Sequence, residues 1–213
     1  MKFDAMSRRA FLSSTAAVAL TAAGASLLPA SGAFAQDAPV VQEMIIGDEN
    51  APVTIIEYAS FTCPHCATFH EAVYPQIREN YVDTGKVKFV FREVYFDRYG
   101  LWAGMLARCD GGSRYFGIVD RLFKQQAEWS RAGEPADVVA AMRKIGATAG
   151  LTKEQMDSCL QNGAMAKALV EEYQKNAEAD NVRGTPQFVI NGRGYSNMPY
   201  SQFEEAIDQA LGS

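Results

Sequence analysis

Two cysteines in the stretch Cys63-Pro64-His65-Cys66 are the feature that most restricts the fold of this 213-residue chain. They follow directly after an apolar, β-branched run at residues 53–61. Residues three apart on a helix lie on the same face, so the two thiols can close a small disulfide and open it again. The pattern therefore predicts a buried strand that leads into a redox-active pair of thiols at the start of a helix.

Cys63 is placed where a thiolate is stabilised. Proline is favoured at the first helical position, so Pro64 puts Cys63 at the N-cap, facing free backbone N–H groups and the positive end of the helix dipole. The dipole contributes about 0.3–2 kcal/mol, enough to lower a pKa by about one. His65 can supply a further donor. Cys66, one turn further along, is the natural resolving thiol.

Three other interpretations of the cysteine pair are weaker. Haem attachment requires a histidine directly after the second cysteine, but position 67 is alanine. A zinc site could use Cys63, Cys66 and His70, but no second ligand pair follows at zinc-finger spacing. A purely structural disulfide would close so short a loop that it restricts little of the unfolded chain. We favour dithiol redox chemistry and expect no metal and no cofactor.

The periodicity along the chain predicts an α/β fold with an all-helical insertion. A strand–helix–strand unit of the size that makes a parallel pair comes first, with Pro75 expected to break its helix. A hairpin with the turn Asn191-Gly192 and a closing helix come last. The predicted strands are 53–58, 86–94, 187–190 and 193–196, after an extended lead-in at 36–52. The predicted helices are 64–81, 199–211 and, within an insertion at about 98–178, the segments 101–105, 115–131, 135–145, 153–160 and 164–179.

Aromatic residues recur at helical spacing in this insertion. We interpret them mainly as its core, although some of them can line an apolar groove beside the cysteines, and periodicity does not separate the two. They are Trp102, Tyr115, Phe116, Phe123 and Trp129.

Residues 1–35 have the pattern of a cleaved export signal. A short charged start, an uncharged apolar stretch at 10–33 and the sequence Ala33-Phe34-Ala35 predict cleavage after Ala35. The stretch is rich in small residues, which disfavours the alternative of a membrane anchor. The pair Arg8-Arg9 is similar to a twin-arginine signal, so both the Sec and the twin-arginine routes stay open. We expect residues 36–213 to form one mature domain in the periplasm.

The charge balance disfavours one class of partner. The chain has a formal net charge of −5, and the predicted signal carries two more positive than negative charges, so the mature part is more acidic than the whole. Nucleic-acid binding needs a basic surface, and we expect none here.

The four cysteines predict two disulfides. All four lie in the mature part, and an even count in an exported protein favours pairing. Of the three possible pairings, spacing favours Cys63 with Cys66 and Cys109 with Cys159. The second pair would clamp two helical segments of the insertion and stabilise the fold by roughly 4 kcal/mol in the chain-entropy model. The alternative is two buried free thiols.

The sequence resembles the thioredoxin fold, and within it the DsbA branch of exported disulfide-forming oxidoreductases. The resemblance rests on the strand before Cys-Pro-His-Cys, the helix after it, the long helical insertion and Thr185-Pro186 ahead of a late strand. It covers the whole mature chain.

The resemblance implies a role for each site residue. Cys63 is the exposed nucleophile, Cys66 is the buried partner, and His65 of the Pro64-His65 pair stabilises the Cys63 thiolate. Pro186 matches the family's cis-proline, whose loop faces the disulfide and offers backbone hydrogen bonds to an extended peptide. Thr185, just before it, tunes the cysteines.

Glu57 stands inside the buried strand, six residues before Cys63. A buried carboxylate costs free energy unless it is paired or hydrated. The family has a buried acid here that serves proton transfer near the inner cysteine; the alternative is an outward-facing glutamate. Many relatives pair this acid with a lysine on the next strand, but this chain has Phe91-Arg92 there, which puts that ion pair in doubt. We expect His70 to lie on the surface of its helix.

The predicted function is that of a thiol oxidase acting on reduced, unfolded exported polypeptides. By the resemblance, a quinone-linked membrane partner would reoxidise it. Dimeric isomerases carry an N-terminal dimerisation domain, and the 36–52 lead-in is too short for one, so we expect a monomer. The alternatives are a monomeric isomerase or reductase on the same fold, and a non-catalytic peptide-binding or metal-binding module.

Overall fold

The computed structural model describes residues 39–212. The predicted export signal at residues 1–35 lies outside the described residues. Within the described part, no helix has both the length and the apolar composition needed to span a bilayer.

A five-stranded mixed sheet is the centre of the fold. Its strands lie in the order β1-β3-β2-β4-β5. β2 and β3 are parallel, and every other neighbouring pair is antiparallel. The bounds are β1 Met44–Ile46, β2 Val53–Ala59, β3 Val87–Glu93, β4 Gln187–Ile190 and β5 Arg193–Ser196. The predicted parallel pair and the predicted hairpin are both confirmed.

β1 was not predicted as a strand. The sequence indicated only an extended lead-in, whereas Met44 pairs with Phe91 in an antiparallel ladder along the free edge of β3. Three residues are too few to show a period of two. The strand exists because β3 offers unpaired backbone groups at its edge.

The helix after the cysteines breaks where Pro75 predicts. The helical segment predicted at 64–81 consists of α1 (Pro64–Ala72), α2 (Tyr74–Ile77) and a π-helical turn at Arg78–Val82. Pro75 has no N–H to donate and its ring crowds the preceding turn, so the chain is interrupted at Val73.

The predicted helical insertion is confirmed, with six α-helices described between β3 and β4. Their bounds are α3 Arg98–Ala107, α4 Tyr115–Lys124, α5 Gln126–Ser130, α6 Pro135–Thr148, α7 Lys153–Leu160 and α8 Gly163–Ala179. A short 3₁₀ turn, Cys109–Gly112, follows α3, and α9 (Tyr200–Leu211) closes the chain. The single helix predicted at 115–131 is two helices, separated at Gln125.

The core lies in two main parts. One fills the space between the sheet and the insertion, where Tyr115, Phe123 and Trp129 are buried as predicted. Trp102 and Phe116 are only partly buried at its margin. The other lies between the sheet, α1 and α9, and contains a cluster of aromatic rings: Phe69, Phe89, Phe188 and Phe203.

A disulfide joins Cys109, just after α3, to Cys159 on α7, with the Cα atoms 5.7 Å apart. The two cysteines are separated by 50 positions in the sequence. The insertion is therefore cross-linked within itself rather than to the sheet.

A buried ion pair ties the insertion to the sheet. Arg108, which follows α3, donates to both carboxylate oxygens of Glu93 on β3, at 2.7 Å each. Tyr115 Oη donates to the same carboxylate at 2.7 Å, and Arg108 also donates to the Gln42 carbonyl oxygen. The side chains of Arg108 and Glu93 are 8% and 5% exposed, so removal of either partner leaves the other charge buried.

We expect Arg108→Leu to lower the free energy of unfolding by about 3–5 kcal/mol, because it leaves the Glu93 carboxylate without its cation. Urea unfolding measures this. The matched control is Lys124→Met, which breaks an ion pair with Asp120 whose side chains are 65% and 54% exposed, and should cost less than about 1 kcal/mol. Equal losses in the two variants would contradict the prediction.

Candidate functional site

Cys63 and Cys66 lie where β2 passes into α1. Cys63 is the N-cap of α1 in extended conformation, and Pro64 occupies the first helical turn. The Cys63 carbonyl oxygen accepts from the backbone N–H groups of Cys66 and Ala67 at 3.1 and 3.2 Å. Cys63 is partly exposed and Cys66 is fully buried, and both are free thiols. The strand thus delivers one accessible thiol to a helix N-terminus, with a second thiol beneath it.

The site gives the two thiols opposite acidities. The pKa of Cys63 falls from 9.0 to about 5, chiefly because the Cys66 thiol hydrogen-bonds to the thiolate, which outweighs desolvation. The Thr185 side chain and the backbone N–H groups of Cys66 and His65 add to the effect. Burial raises the pKa of Cys66 far above its ordinary value, as do its hydrogen bond to Cys63 and the negative charge of Glu57. Cys63 therefore ionises while Cys66 keeps its proton.

A loop before β4 lies against Cys63. The Thr185–Pro186 peptide bond is cis, as the resemblance implies. The Cys63 thiol donates to the Thr185 carbonyl oxygen at 3.4 Å; on ionisation this bond is lost, and the Thr185 side chain stabilises the anion instead. Pro186 is buried and Gly184 is exposed. The loop thus presents backbone at the edge of the reactive thiol.

Among the described residues, the side chain of His65 makes no hydrogen bond to Cys63. His65 and Pro64 are exposed, and within residues 39–212 the His65 imidazole has no hydrogen-bond partner. What His65 supplies to the Cys63 thiolate in this structure is its backbone N–H.

Glu57 is fully buried in the middle of the sheet, between Phe91 on β3 and Phe188 on β4. Its Oε2 lies 2.9 Å from Nε2 of His70. Burial raises the pKa of Glu57, and the interaction with His70 opposes this rise. The alternative of an outward-facing glutamate is thereby excluded.

The expectation that His70 lies on the helix surface is wrong. His70 is 9% exposed, and its ring stacks on Phe123 of α4 with centroids 4.2 Å apart. Residues four apart share a helix face, so a buried Cys66 places His70 under the insertion as well. The spacing of four residues from Cys66, together with the need of a buried Glu57 for a partner, is the signal in the sequence that His70 is buried.

Arg92, on the strand next to Glu57, is not the partner of that carboxylate. It lies opposite Tyr58 in the sheet and donates to Glu43 and Asp180. Within the described ranges, no group of three His, Cys, Asp or Glu side chains is arranged to hold a metal ion.

Gln126 is a site residue that sequence reasoning missed. Its buried amide on α5 donates to the Phe61 and Cys63 carbonyl oxygens at 2.8 and 2.9 Å. A single glutamine among helical residues carries no local signal for such a role. The helical insertion thus holds the backbone on both sides of Thr62.

A second connection joins the cysteine loop to the start of α3. Thr62 Oγ1 donates to Asp97 at 2.6 Å, and the Asp97 carboxylate caps α3 by accepting from the N–H groups of Tyr99 and Gly100. Phe96, beside this cap, is 61% exposed.

Comparisons with known proteins agree on one family. A family model described as Thioredoxin matches residues 40–209. A Rickettsia bellii protein that carries the provisional name protein-disulfide oxidoreductase is 32% identical over 170 residues, which cover 79% of this chain and 64% of that protein. This chain thus spans about two thirds or less of the length of the Rickettsia relatives that it matches.

Two further relatives are covered more fully. Disulfide bond formation protein D of Bacillus subtilis is 26% identical over 176 residues, with 78% of this chain and 76% of that protein covered. The crystal structure of Wolbachia pipientis alpha-DsbA1 superposes with a TM-score of 0.71 at 28% identity, covering 82% of this chain and 93% of that chain.

The reduced protein should show a thiolate that titrates near pH 5, because Cys63 is acidic and Cys66 is not. Since the folded pKa lies below the ordinary value of 9.0, the thiolate stabilises the reduced protein increasingly as the pH rises from about 5 toward 9, and this stabilisation is lost as the pH falls. Ultraviolet thiolate absorbance against pH measures it. Cys66→Ala removes the main donor and should raise the pKa of Cys63. A wild-type midpoint near 9 would refute the assignment.

Gln126→Ala should lower the free energy of unfolding by about 1–3 kcal/mol, because the buried Phe61 carbonyl loses its donor. It should also speed amide hydrogen exchange at residues 61–67. The control is Gln76→Ala, which removes an exposed side-chain bond to the Ala72 carbonyl and should change stability by less than about 0.5 kcal/mol. Unchanged stability in Gln126→Ala would show that α5 does not hold the loop.

Proposed function

We propose that this chain, which belongs to the thioredoxin family, is a protein thiol:disulfide oxidoreductase that introduces disulfides through Cys63 and Cys66. The observation that carries the proposal is the pairing of two thiols one helical turn apart: Cys63 is partly exposed and has a lowered pKa, and Cys66 is buried and has a raised pKa. The names of the relatives and the fold shared with alpha-DsbA1 support it.

The reaction begins from the Cys63–Cys66 disulfide. A substrate thiolate attacks Cys63 Sγ, which forms a mixed disulfide and releases Cys66, and Cys66 takes up a proton. A second substrate thiolate then attacks the substrate sulfur of the mixed disulfide, and Cys63 leaves as a thiolate. Two substrate thiols become one disulfide, and the enzyme disulfide is reduced by the same two electrons.

The low pKa of Cys63 favours oxidation of the substrate over its reduction. A stable thiolate is a good leaving group from the mixed disulfide and lowers the free energy of the reduced enzyme. Both effects make the enzyme disulfide an oxidant. The loop at Thr185–Pro186 is placed to pair with the backbone of an extended substrate segment beside Cys63.

The other site residues have supporting roles in this proposal. Thr185 and the N–H of His65 stabilise the thiolate, Pro64 starts the helix that positions it, and Glu57 serves proton transfer at the inner cysteine. The Cys109–Cys159 disulfide is a structural link within the insertion. The His65 imidazole, which is exposed, can approach a thiolate when the substrate is bound.

The setting of the reaction belongs to the proposal as well. The export pattern at residues 1–35 supports secretion to the periplasm by the Sec or the twin-arginine route. The substrates are then reduced exported polypeptides, a quinone-linked membrane protein reoxidises the reduced enzyme, and the enzyme acts as a monomer.

The disulfide form should oxidise a reduced two-cysteine model peptide, and Cys63→Ser should abolish this because the attacked sulfur is gone. Cys66→Ser cannot form the enzyme disulfide, but when it is mixed with the oxidised peptide its Cys63 thiolate should attack the peptide disulfide and accumulate as a mixed disulfide, because no second enzyme thiol is left to release it. Mass spectrometry of the products measures both. Full oxidation by Cys63→Ser would refute the mechanism, and efficient refolding of scrambled ribonuclease by the wild type, without net oxidation of the peptide, would favour isomerase activity.

A further inference from the structure

The buried thiol of Cys66 must exchange a proton each time the disulfide opens or closes. Its high pKa means that the thiolate released on opening is protonated, and that the thiol must lose this proton before it can attack again. Cys66 is fully buried, so water does not reach it directly, and the proton must pass through a side chain.

Glu57 and His70 are the buried acid and base beside this thiol. Among the described residues, the remaining buried carboxylate is Glu93, and it accepts hydrogen bonds from Arg108 and Tyr115. Glu57 is close enough to Cys66 for its charge to act on the thiol. Its Oε1 has no hydrogen-bond partner among the described residues, while Oε2 is held by His70.

His70 is the less deeply buried member of the pair. The side chain of Glu57 is 0% exposed and that of His70 is 7% exposed. The imidazole ring is fixed between Tyr74 and Phe123, with centroids 4.9 and 4.2 Å away. A proton that leaves Glu57 therefore has the imidazole as its neighbour on the way out.

We propose that His70 is a positioning residue for this step: it orients the Glu57 carboxylate toward proton exchange with Cys66 and links that carboxylate to solvent. When the disulfide opens, the proton shared between Glu57 and His70 moves to Cys66 Sγ, and His70 regains one from water. When Cys66 attacks a mixed disulfide, the pair first releases its shared proton to water through His70, and the proton of Cys66 then passes to Glu57. The inference deepens the proposed function and rests on it.

No other described charge can take the place of His70. The titratable groups that face Glu57 are Cys63 and Cys66 at the start of α1 and Tyr74 on α2, none of which is a cation. The flanking strands present Phe91 and Phe188, and α4 presents Phe123. Loss of His70 therefore leaves burial and these neighbours to raise the pKa of Glu57 further.

The test follows the two-step reaction of the reduced protein with a chromogenic aromatic disulfide, 5,5′-dithiobis(2-nitrobenzoate). Attack by Cys63 releases the first coloured thiolate, and attack by Cys66 on the resulting mixed disulfide releases the second. Stopped-flow absorbance resolves the two phases between about pH 5 and pH 8. Only the second phase requires Cys66 to lose its proton.

In His70→Gln, the second phase should slow by roughly tenfold or more near neutral pH, and its pH midpoint should rise. The first phase should stay within about twofold of the wild type. Glu57→Gln should slow the second phase too, and in the double variant this phase should be no slower than in the slower of the two single variants.

The matched control is Tyr74→Phe, which keeps the ring against His70 and removes a hydroxyl with no hydrogen-bond partner among the described residues. Both phases of its reaction should have the wild-type rates.

An unchanged second phase in His70→Gln, or a slowing that does not depend on pH, would overturn the proposal. Loss of the first phase in the wild type would instead refute the proposed function, so the two failures are distinguishable.

If His70→Gln fails to fold, an NMR titration of the wild-type protein tests the proposal instead. The chain has two histidines, so the imidazole NMR signals can be assigned, and the His70 titration should differ between the reduced and the disulfide forms. Identical titrations would overturn the proposal.

Discussion

The unequal surroundings of two sulfur atoms one helical turn apart are the constraint on which the site depends. Cys63, at the N-cap, accepts hydrogen bonds as a thiolate from the Cys66 thiol and from backbone N–H groups, whereas Cys66 is enclosed by the core. One pKa falls to about 5 and the other rises. A tenfold change in an ionisation constant corresponds to about 1.36 kcal/mol, so the fold places a large free-energy difference between the thiols by fixing where β2 ends and α1 begins.

The helical insertion is part of this arrangement and not only a cover. Gln126 on α5 holds two carbonyl groups of the cysteine loop, and Phe123 on α4 stacks on His70 beneath it. The Arg108–Glu93 ion pair fixes the start of the insertion to β3. Because of these three contacts, a shift of the insertion would move the cysteine loop, the buried acid–base pair and β3 together.

The sequence predicted the parts of the fold that are governed by local rules. The apolar, β-branched run before the cysteines, Pro75, the Asn191-Gly192 turn and the N-cap position of Cys63 are local features of a few residues, and each has its predicted effect in the structure. β1, the partner of Glu57 and the role of Gln126 depend on contacts between distant segments. Met44 pairs with Phe91 across 47 positions, and Gln126 reaches a carbonyl 65 positions away. A single sequence does not show which distant segments meet, so it does not predict these three features. The spacing of Cys66 and His70 alone indicates that the histidine is buried.

The pairing of Glu57 with a histidine, and not with a lysine, determines what the buried acid can do. A lysine has an ordinary pKa of about 10.4, and while it is charged it holds a nearby carboxylate ionised. An imidazole gains and loses a proton near neutrality, so a Glu57–His70 pair can carry one shared proton or none. The same pair thus stabilises the buried carboxyl group by a hydrogen bond and can pass a proton on, which a fixed cation at the same position does not do.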